Sequence, residues 1–207
     1  MRVLVTGSEG FIGSNMVEKL LQKNFRVFAL VQYNSFSNIG WLRGISHKNL
    51  NIIFGDVRDE TFLENITKNI DVIINLAALI SIPYSYRSIS SYIDTNIIGA
   101  SNICKVGLKN KIKKIIKVSS SEVYGTAQYT PIDEKHPLQP QSPYSASKIG
   151  ADAIALSYYY SYGLNVTIAR PFNTFGPRQS LRAIIPTIFY QILNEKKKIK
   201  LGLLTTK

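Results

Sequence analysis

Hydrophobic positions along the chain form two alternating patterns. Short apolar runs, rich in Val, Ile and Leu, occur at residues 2–6, 26–31, 51–54, 72–76, 115–119 and 165–170. Longer stretches with apolar residues at helical spacing occur at residues 11–22, 60–67, 92–109 and 143–162. Buried parallel strands are continuous apolar runs, and each intervening stretch is long enough for a crossover helix. The pattern therefore predicts an α/β fold, a doubly wound parallel sheet with right-handed crossovers.

A glycine-rich turn follows the first predicted strand and opens the first predicted helix. Residues 6–13 have the sequence TGSEGFIG. In such a turn Gly7 permits the tight bend, Gly10 lets the backbone approach a pyrophosphate, and Gly13 allows the helix to pack closely on the strand. The helix N-terminus adds N–H donors and a positive dipole end. This strand–turn–helix context predicts a dinucleotide site on a Rossmann-type sheet.

The choice of dinucleotide depends on the end of the second strand, where an acidic residue usually binds the adenosine ribose. Residues 30–35 have the sequence LVQYNS, without an acid, so that Gln32, Asn34 or Ser35 would have to hydrogen-bond the ribose. No arginine stands there to meet a 2′-phosphate, and the nearest one downstream is Arg43. We therefore predict NAD as the cofactor, with NADP left open as the alternative.

Two further segments follow predicted strands, at the sheet edge where ligands bind in such folds. Asp56 and Val57 follow the third strand, and Asp56 is expected to meet the adenine amino group. The competing interpretation of Asp56 is a turn residue that leads into a helix. Small side chains after the fourth strand let a dinucleotide lie against the backbone. The further expected cofactor contacts are Phe11, Ile12, Leu76, Ala77, Ala78, Thr95 and Pro171.

Tyr144 and Lys148 are four residues apart and share one face of a predicted helix. A nearby ammonium and a positive nicotinamide ring would favour ionisation of the phenol, whose usual pKa is about 10. A phenolate can take the proton of a sugar hydroxyl while the carbon gives hydride to the cofactor. We expect both side chains to contact the cofactor and to take part in catalysis.

A serine-rich segment, residues 118–125 with the sequence VSSSEVYG, follows the fifth strand. Its hydroxyls could hold a sugar and share its proton with Tyr144. Glu122 could remove a proton from the carbon next to a newly formed ketone. A surface or helix-capping carboxylate is the alternative interpretation of Glu122.

Together these motifs resemble the extended short-chain dehydrogenases/reductases, the NAD-dependent epimerase/dehydratase family, over the whole chain. Four shorter segments are similar to the nucleotide-sugar 4,6-dehydratases of legionaminic-acid-type pathways, enzymes of polysaccharide biosynthesis. These segments are YNSF at 33–36, GWL at 40–42, IPYSY at 82–86 and QSPY at 141–144. The motifs that carry the family resemblance lie at residues 6–13, 56–57, 76–78, 94–96, 119–125, 144–148 and 170–178.

The resemblance implies a role for each residue of the serine-rich segment. Dehydratases of the family have Thr-Asp-Glu or Thr-Ser-Glu where this chain has Ser120, Ser121 and Glu122. It assigns Ser120 to the C4 oxygen, Glu122 to the C5 proton, and Ser121 with Glu122 to loss of the C6 hydroxyl. Pro171 would lie against the nicotinamide. The substrate contacts expected on this basis are Ser81, Ser120, Asn173 and Arg178.

The implied activity is 4,6-dehydration of a nucleoside-diphosphate N-acetylhexosamine, by transient C4 oxidation, C5–C6 water elimination and hydride return to C6. The alternatives are a 4-epimerase, a decarboxylase or an inactive NAD-binding remnant. Glu122 argues against epimerisation, which removes no C5 proton. Residues 1–177 are expected to form the NAD(P)-binding domain, and residues 178–207 the beginning of an incomplete substrate lobe in a C-terminally truncated chain. A further helix at 183–194 and a strand at 199–201 are expected there.

The net charge of +12 raises the question of a nucleic-acid partner. The densest basic runs, at residues 109–117 and 196–198, lack interleaved aromatic residues and belong to no nucleic-acid module. We read the first as a solvated helix end and predict no nucleic-acid partner. A positive field would instead steer a phosphate-bearing small substrate.

Composition limits the remaining function classes. No apolar run reaches the roughly 18 residues of a membrane span, and no signal peptide is evident, which predicts a cytoplasmic protein without a membrane partner. The single cysteine, Cys104, is expected to be a small buried residue. His47 and His136 have no companion ligands at metal spacing, so that both are interpreted as surface residues and no metal is predicted. A homodimer is a further expectation.

Overall fold

The computed structural model describes residues 1–194 and 198–201 and confirms the predicted α/β fold. Its sheet has six parallel strands in the order β3-β2-β1-β4-β5-β6. Each predicted strand matches the observed one to within one residue at either end. The strands are β1 (Arg2–Thr6), β2 (Arg26–Gln32), β3 (Leu50–Gly55), β4 (Val72–Asn75), β5 (Lys114–Val118) and β6 (Val166–Ala169).

The predicted helices are found with one division, and two short helices, Ile82–Ser85 and Ile89–Tyr92, were not predicted. The helix expected over residues 92–109 is a π-helical turn, Ile93–Ile98, followed by a regular helix. The α-helices are α1 (Phe11–Gln22), α2 (Glu60–Thr67), α3 (Ile82–Ser85), α4 (Ile89–Tyr92), α5 (Gly99–Lys109), α6 (Pro143–Tyr162) and α7 (Ile184–Leu193). Two 3₁₀ turns cover Gly40–Gly44 and Ser121–Val123.

The sheet is covered on both faces because successive strand residues point to opposite sides. One apolar cluster combines strand residues with α1, and its buried members include Val3, Val5, Val27, Ala29, Val31, Val17 and Leu21. The opposite cluster uses the alternate strand positions together with α2, α5 and α6, and includes Leu4, Leu30, Ile73, Ile115, Leu63, Ile103 and Ala155. Cys104 belongs to this second cluster, as expected, and burial raises the pKa of its thiol to about 12.

Helix α6, which carries two predicted catalytic residues, has its ends fixed by local sequence. The Ser142 hydroxyl accepts a hydrogen bond from the Ser145 N–H at 3.0 Å, and Pro143 occupies the first turn. At the other end Gly163 has φ of 66°, the left-handed conformation that glycine adopts without strain. These caps fix where α6 begins and ends.

The first basic run only partly fits its interpretation as a solvated helix end. Lys109 pairs with Glu64 at 2.7 Å and Lys113 with Asp71 at 3.1 Å, both at the surface. Lys117 contradicts the interpretation because it lies on β5 and is only 4% exposed. The run at 196–198 lies mostly outside the described residues.

His136 is also buried, at 2% exposure, and its interpretation as a surface residue was wrong. Its ring packs edge-on against Tyr124, and its Nε2 accepts the Gln128 N–H at 3.0 Å. These contacts remove the imidazole from solvent. Within the described residues no group of three or more His, Cys, Asp or Glu side chains is placed to hold a metal ion.

The chain divides into two compact units, Met1–Asn173 and Thr174–Lys207. The second contains α7, and the strand expected at 199–201 is not formed there. The roles predicted for residues 1–177 and 178–207 stay predictions. No helix in residues 1–194 or 198–201 combines the length and apolar character needed to cross a membrane.

Gly13 tests how tightly α1 packs on the turn before it. A Cβ at Gly13 would lie 2.1 Å from the Gly7 carbonyl oxygen and 2.8 Å from the Ser8 Cα, both backbone atoms. We expect Gly13→Ala to lower the free energy of unfolding by about 3 kcal/mol or more, measured by urea denaturation. Gly44→Ala is the control because a Cβ there meets nothing within 4 Å. Equal stability of the two variants would contradict the close packing of α1.

Candidate active site

The carboxyl ends of β1 and β4 are joined by one side chain. The Thr6 hydroxyl donates to the Asn75 Oδ1 at 2.6 Å and accepts the N–H groups of Leu76 and Ala77 at 3.1 and 3.0 Å. Gly7 follows with φ of +62°, and a Cβ there would lie 2.9 Å from the Ala77 nitrogen. The strand order reverses at β1, so this crevice is the switch point where such sheets bind ligands.

A groove runs along this edge of the sheet. Seven of the predicted cofactor residues line it, namely Gly7, Gln32, Asp56, Val57, Ala77, Ala78 and Thr95. Four lining residues were not predicted: Glu9, Leu30, Gly55 and Leu79. Leu30 and Gly55 lie at or near the ends of strands, and proximity to those ends would have identified them. The spacing of the glycines in the turn gives no signal for Glu9.

Other predicted cofactor residues are not part of the groove lining. The Asn34 amide is held within its own loop, where its Nδ2 donates to the Asn38 carbonyl at 3.0 Å and its Oδ1 accepts the Asn38 N–H at 2.9 Å. Ser35 is exposed on the same loop. Gly10 caps α1, and Phe11, Ile12 and Gly13 form its first turn. The roles of these residues, and of Leu76 and Pro171, stay predictions.

Asp56 lines the groove, but its carboxylate already has a cationic partner. The Arg58 guanidinium contacts it at 2.6 Å, and the Arg58 N–H donates to its Oδ1 at 2.8 Å. The hydrogen bond from the Arg58 side chain holds the pKa of Asp56 below its usual range. Both interpretations, the adenine contact and the turn residue, fit this geometry.

The serine-rich segment is fixed between β6 and α6. The Ser121 N–H donates to the Pro171 carbonyl at 3.0 Å, which ties the segment to the residues after β6. The Ser145 hydroxyl donates to the Glu122 carbonyl at 2.6 Å, which ties it to α6. The Ser120 Oγ accepts the Glu122 N–H at 3.2 Å and caps the 3₁₀ turn. The Glu122 side chain is left exposed at this edge.

Tyr144 is buried beside this turn, with its hydroxyl hydrogen-bonded to Ser120. Burial raises the pKa of the Tyr144 phenol, the Ser120 hydrogen bond lowers it, and the negative charge of Glu122 raises it further. The net direction in the protein alone is upward. The Lys148 Nζ donates to the Val118 carbonyl at 2.8 Å, and burial lowers the pKa of this lysine to about 7. The lowering expected from the ammonium together with the nicotinamide ring stays a prediction.

A buried charge network lies behind Lys148. Asp152, 1% exposed, accepts hydrogen bonds from Lys117, from the Ser119 hydroxyl at 2.9 Å and from the Arg170 Nε at 3.1 Å. The positive charge of Lys117 adds to burial in lowering the pKa of Lys148. Sequence reasoning missed this network. The available signal was the position of Asp152, four residues after Lys148 on the same helix face.

The opposite wall of the site comes from the π-helical turn. The Asn96 side chain binds both backbone groups of Leu79 and donates to the Ser147 hydroxyl at 2.9 Å. The Tyr92 hydroxyl donates to the Ser81 carbonyl at 2.6 Å, and its ring meets the Tyr144 ring edge-on at 6.3 Å. Tyr144, on α6, therefore packs against Tyr92, which is tied to the segment that follows β4.

The remaining predicted substrate residues lie in separate units. Asn173 is exposed after β6, at the end of the first unit. Arg178 belongs to the second unit, where it lines a largely apolar groove with Phe175, Gln179 and Phe189. The substrate roles of Ser81, Asn173 and Arg178 stay predictions.

Comparison with known proteins gives a consistent result. A family model described as GDP-mannose 4,6 dehydratase matches residues 4–207. The chain is 35% identical over 199 residues to a low-salt glycan biosynthesis protein of Haloferax volcanii, covering 94% of this chain and 63% of that protein.

Two solved structures are also similar. One is a dTDP-glucose 4,6-dehydratase from Streptomyces venezuelae with NAD bound, at a TM-score of 0.84 and 32% identity. The other is a UDP-N-acetylglucosamine 4-epimerase from Methanobrevibacter ruminantium, at 0.86 and 37%. Each match covers 94% of this chain and 63% of the chain in the solved structure. The chain therefore spans 63% of the length of all three relatives.

Lys148 gives the fold a pH dependence of defined sign. Its pKa falls from 10.5 to about 7 on folding, so between these values the unfolded chain holds a proton that the folded chain has released. Stability from this group therefore rises with pH across that window. Between pH 7 and 9 we expect the free energy of unfolding of the parent to gain roughly 2 kcal/mol relative to Lys148→Met, measured by urea denaturation without cofactor.

The matched control is Lys68→Met, at an exposed position on the surface. It should follow the parent across the same pH range. Parallel pH profiles for the parent and Lys148→Met would show that Lys148 keeps its proton in the folded protein, contrary to this account.

Proposed function

The chain belongs to the GDP-mannose 4,6-dehydratase family, and on that premise we propose that it is a nucleotide-sugar 4,6-dehydratase that uses NAD. One observation carries the proposal. The exposed Glu122 stands on a turn whose backbone is tied to α6: its carbonyl accepts, at 2.6 Å, the hydroxyl of Ser145, the residue after the buried Tyr144. The site would thus combine Tyr144, which can remove a proton from a hydroxyl, with Glu122, which can remove a proton from carbon.

The groove fits a dinucleotide, the cofactor seen in the Streptomyces relative. A Cβ at Gly10 would have no protein neighbour closer than 3.5 Å, so protein packing does not explain the glycine. Close approach of a pyrophosphate does. Gly7, Ala77 and Ala78 would hold the dinucleotide against the backbone, and Lys148 and Tyr144 would contact its nicotinamide half. When bound, NAD supplies a reversible hydride acceptor, and its positive ring favours the phenolate form of Tyr144.

The protein side chains then divide the proton transfers. Tyr144 takes the proton of the C4 hydroxyl as C4 is oxidised, and Ser120 hydrogen-bonds the C4 oxygen. The C4 ketone acidifies the neighbouring C5 hydrogen, which Glu122 removes. Glu122 returns that proton, with help from Ser121, to the C6 hydroxyl, which leaves as water. Return of the hydride to C6 would be matched by one solvent-exchangeable proton at C5, equal in number to the proton that Tyr144 took from the C4 hydroxyl, and would complete the 4-keto-6-deoxy sugar.

An epimerase is the second candidate, because the Methanobrevibacter relative is a 4-epimerase. Epimerisation needs C4 oxidation and return of hydride to the opposite face of the sugar. That reaction removes no proton from C5, so Glu122 would have no part in it. The dehydratase is favoured for this reason.

The substrate proposal is finer than the family. We propose a nucleoside-diphosphate N-acetylhexosamine, on the resemblance of residues 33–36, 40–42, 82–86 and 141–144 to legionaminic-acid-type dehydratases. The net charge of +12 would attract the diphosphate. We further propose that residues 178–207 begin a substrate lobe and that the protein forms a homodimer.

Cofactor binding tests the role of the glycine turn. Because NAD binds the folded state, it should raise the melting temperature of the parent. In Gly10→Leu the new side chain should block the pyrophosphate and abolish this rise, while loss of the glycine cap costs the fold only about 1 kcal/mol. Gly44→Leu, outside the groove, should respond to NAD as the parent does. An unchanged NAD response in Gly10→Leu would contradict the assignment.

The separate roles of Tyr144 and Glu122 can be tested in the full-length protein with a panel of UDP-, GDP- and dTDP-sugars. Tyr144→Phe removes the group that takes the C4 proton, so neither oxidation nor dehydration should proceed. Glu122→Gln leaves oxidation available but removes the C5 base. It should accumulate reduced nicotinamide, seen by absorbance, while product formation falls about 10²–10⁴-fold.

Glu134→Gln serves as the control, because Glu134 is an exposed carboxylate outside the serine-rich segment. Solvent deuterium should enter C5 in the parent and in this control, and should fail to enter in Glu122→Gln. Dehydration by Glu122→Gln at the parent rate would exclude Glu122 as the base. Conversion of the sugars by the parent to 4-epimers, without loss of water, would favour the epimerase.

A further inference from the structure

Glu9 joins the glycine turn to the end of β2. It stands two residues after Gly7, and its Oε1 accepts the backbone N–H of Gln32 at 3.1 Å. Both Glu9 and Gln32 line the groove at the switch point. The hydrogen bond therefore brings a carboxylate to the end of β2, although β2 itself ends without an acid.

The second oxygen of this carboxylate has no protein donor. Within the described part of the chain, the Glu9 Oε2 is buried and has no hydrogen-bond partner. Buried polar atoms are nearly always satisfied, and an unpaired carboxylate oxygen is costly. A carboxylate can accept several hydrogen bonds, so Oε2 is free to accept from a ligand in the groove.

The backbone of Glu9 is held in place by the 3₁₀ turn Gly40–Gly44. The Trp41 N–H donates to the Glu9 carbonyl at 3.1 Å, and a Cβ at Gly40 would lie 2.6 Å from the same oxygen. Leu42 anchors this turn because it is fully buried in the apolar cluster beneath it. The turn therefore fixes the position from which the Glu9 side chain reaches Gln32.

We propose that Glu9 binds the hydroxyls of the adenosine ribose and thereby selects NAD over NADP. Ribose 2′ and 3′ hydroxyls are donors that suit the unpaired Oε2, and the end of β2 is where the adenosine ribose lies in dinucleotide sites. A 2′-phosphate would instead place negative charge beside the Glu9 carboxylate, and like charges repel. The inference rests on the proposed function, because it presupposes that the groove binds the dinucleotide.

The test is a binding titration with Glu9→Gln. The amide oxygen of glutamine can still accept the Gln32 N–H, so the turn should keep its geometry, while the negative charge is lost. Calorimetry with NAD, NADP, ADP-ribose and 2′-phospho-ADP-ribose gives four affinities for each variant. We expect the variant to bind NAD and ADP-ribose roughly 10- to 100-fold more weakly, because hydrogen bonds to charged groups are the strong ones. Its preference for the unphosphorylated ligands should fall at least tenfold.

Two further variants identify the cause. Glu64→Gln changes the net charge by the same amount as Glu9→Gln, but at a surface residue that pairs with Lys109. It should bind the four ligands as the parent does. Glu9→Gln combined with Gln32→Glu places the acid on β2 itself and should regain the lost preference. The inference is overturned if Glu9→Gln keeps its NAD affinity and preference within twofold, or if the double variant regains nothing. Failure of the parent to bind NAD would instead overturn the proposed function.

Discussion

The buried carboxylate of Asp152 holds helix α6 against the carboxyl ends of β5 and β6. Its oxygens accept hydrogen bonds from Lys117 on β5, from Ser119, the residue after β5, and from Arg170, the residue after β6. Because Asp152 lies on α6, one group fixes the helix against two strands. Buried charges persist only when they are paired and hydrogen-bonded, so loss of this carboxylate would leave two cations without their partner. The position of Tyr144, on the same helix, depends on that arrangement.

In the proposed reaction the same arrangement would keep the two proton transfers apart. Tyr144 is buried and its phenol is neutral in the protein alone, with a raised pKa. Glu122 is exposed on a turn held by Ser145 and by the Pro171 carbonyl. A fixed backbone with a solvated carboxylate beside a buried phenol gives two groups of different proton affinity at one edge. Such a pair suits a reaction with one hydroxyl proton and one carbon-bound proton to remove.

Local sequence features accounted for the fold and for part of the site. The strands were predictable because they are continuous apolar runs, and α6 because Ser142, Pro143 and Gly163 mark its ends. The glycine turn was recognisable from its spacing. The Asp152 network and the contact from Glu9 to Gln32 were not, because each depends on side chains that only the folded chain brings together. For the same reason the burial of Lys117 and His136 was missed: a basic run and a loop do not show which side chain is enclosed.

We propose that Glu122 makes this edge of the sheet a dehydratase site. The most direct measurement follows the hydrogen of C4 in a nucleotide sugar deuterated at that carbon, with the product analysed by NMR. In a dehydratase the deuterium leaves C4 and is delivered to C6 of the 4-keto-6-deoxy product, and we predict this transfer. Deuterium that remains on C4 of an epimerised sugar would contradict it.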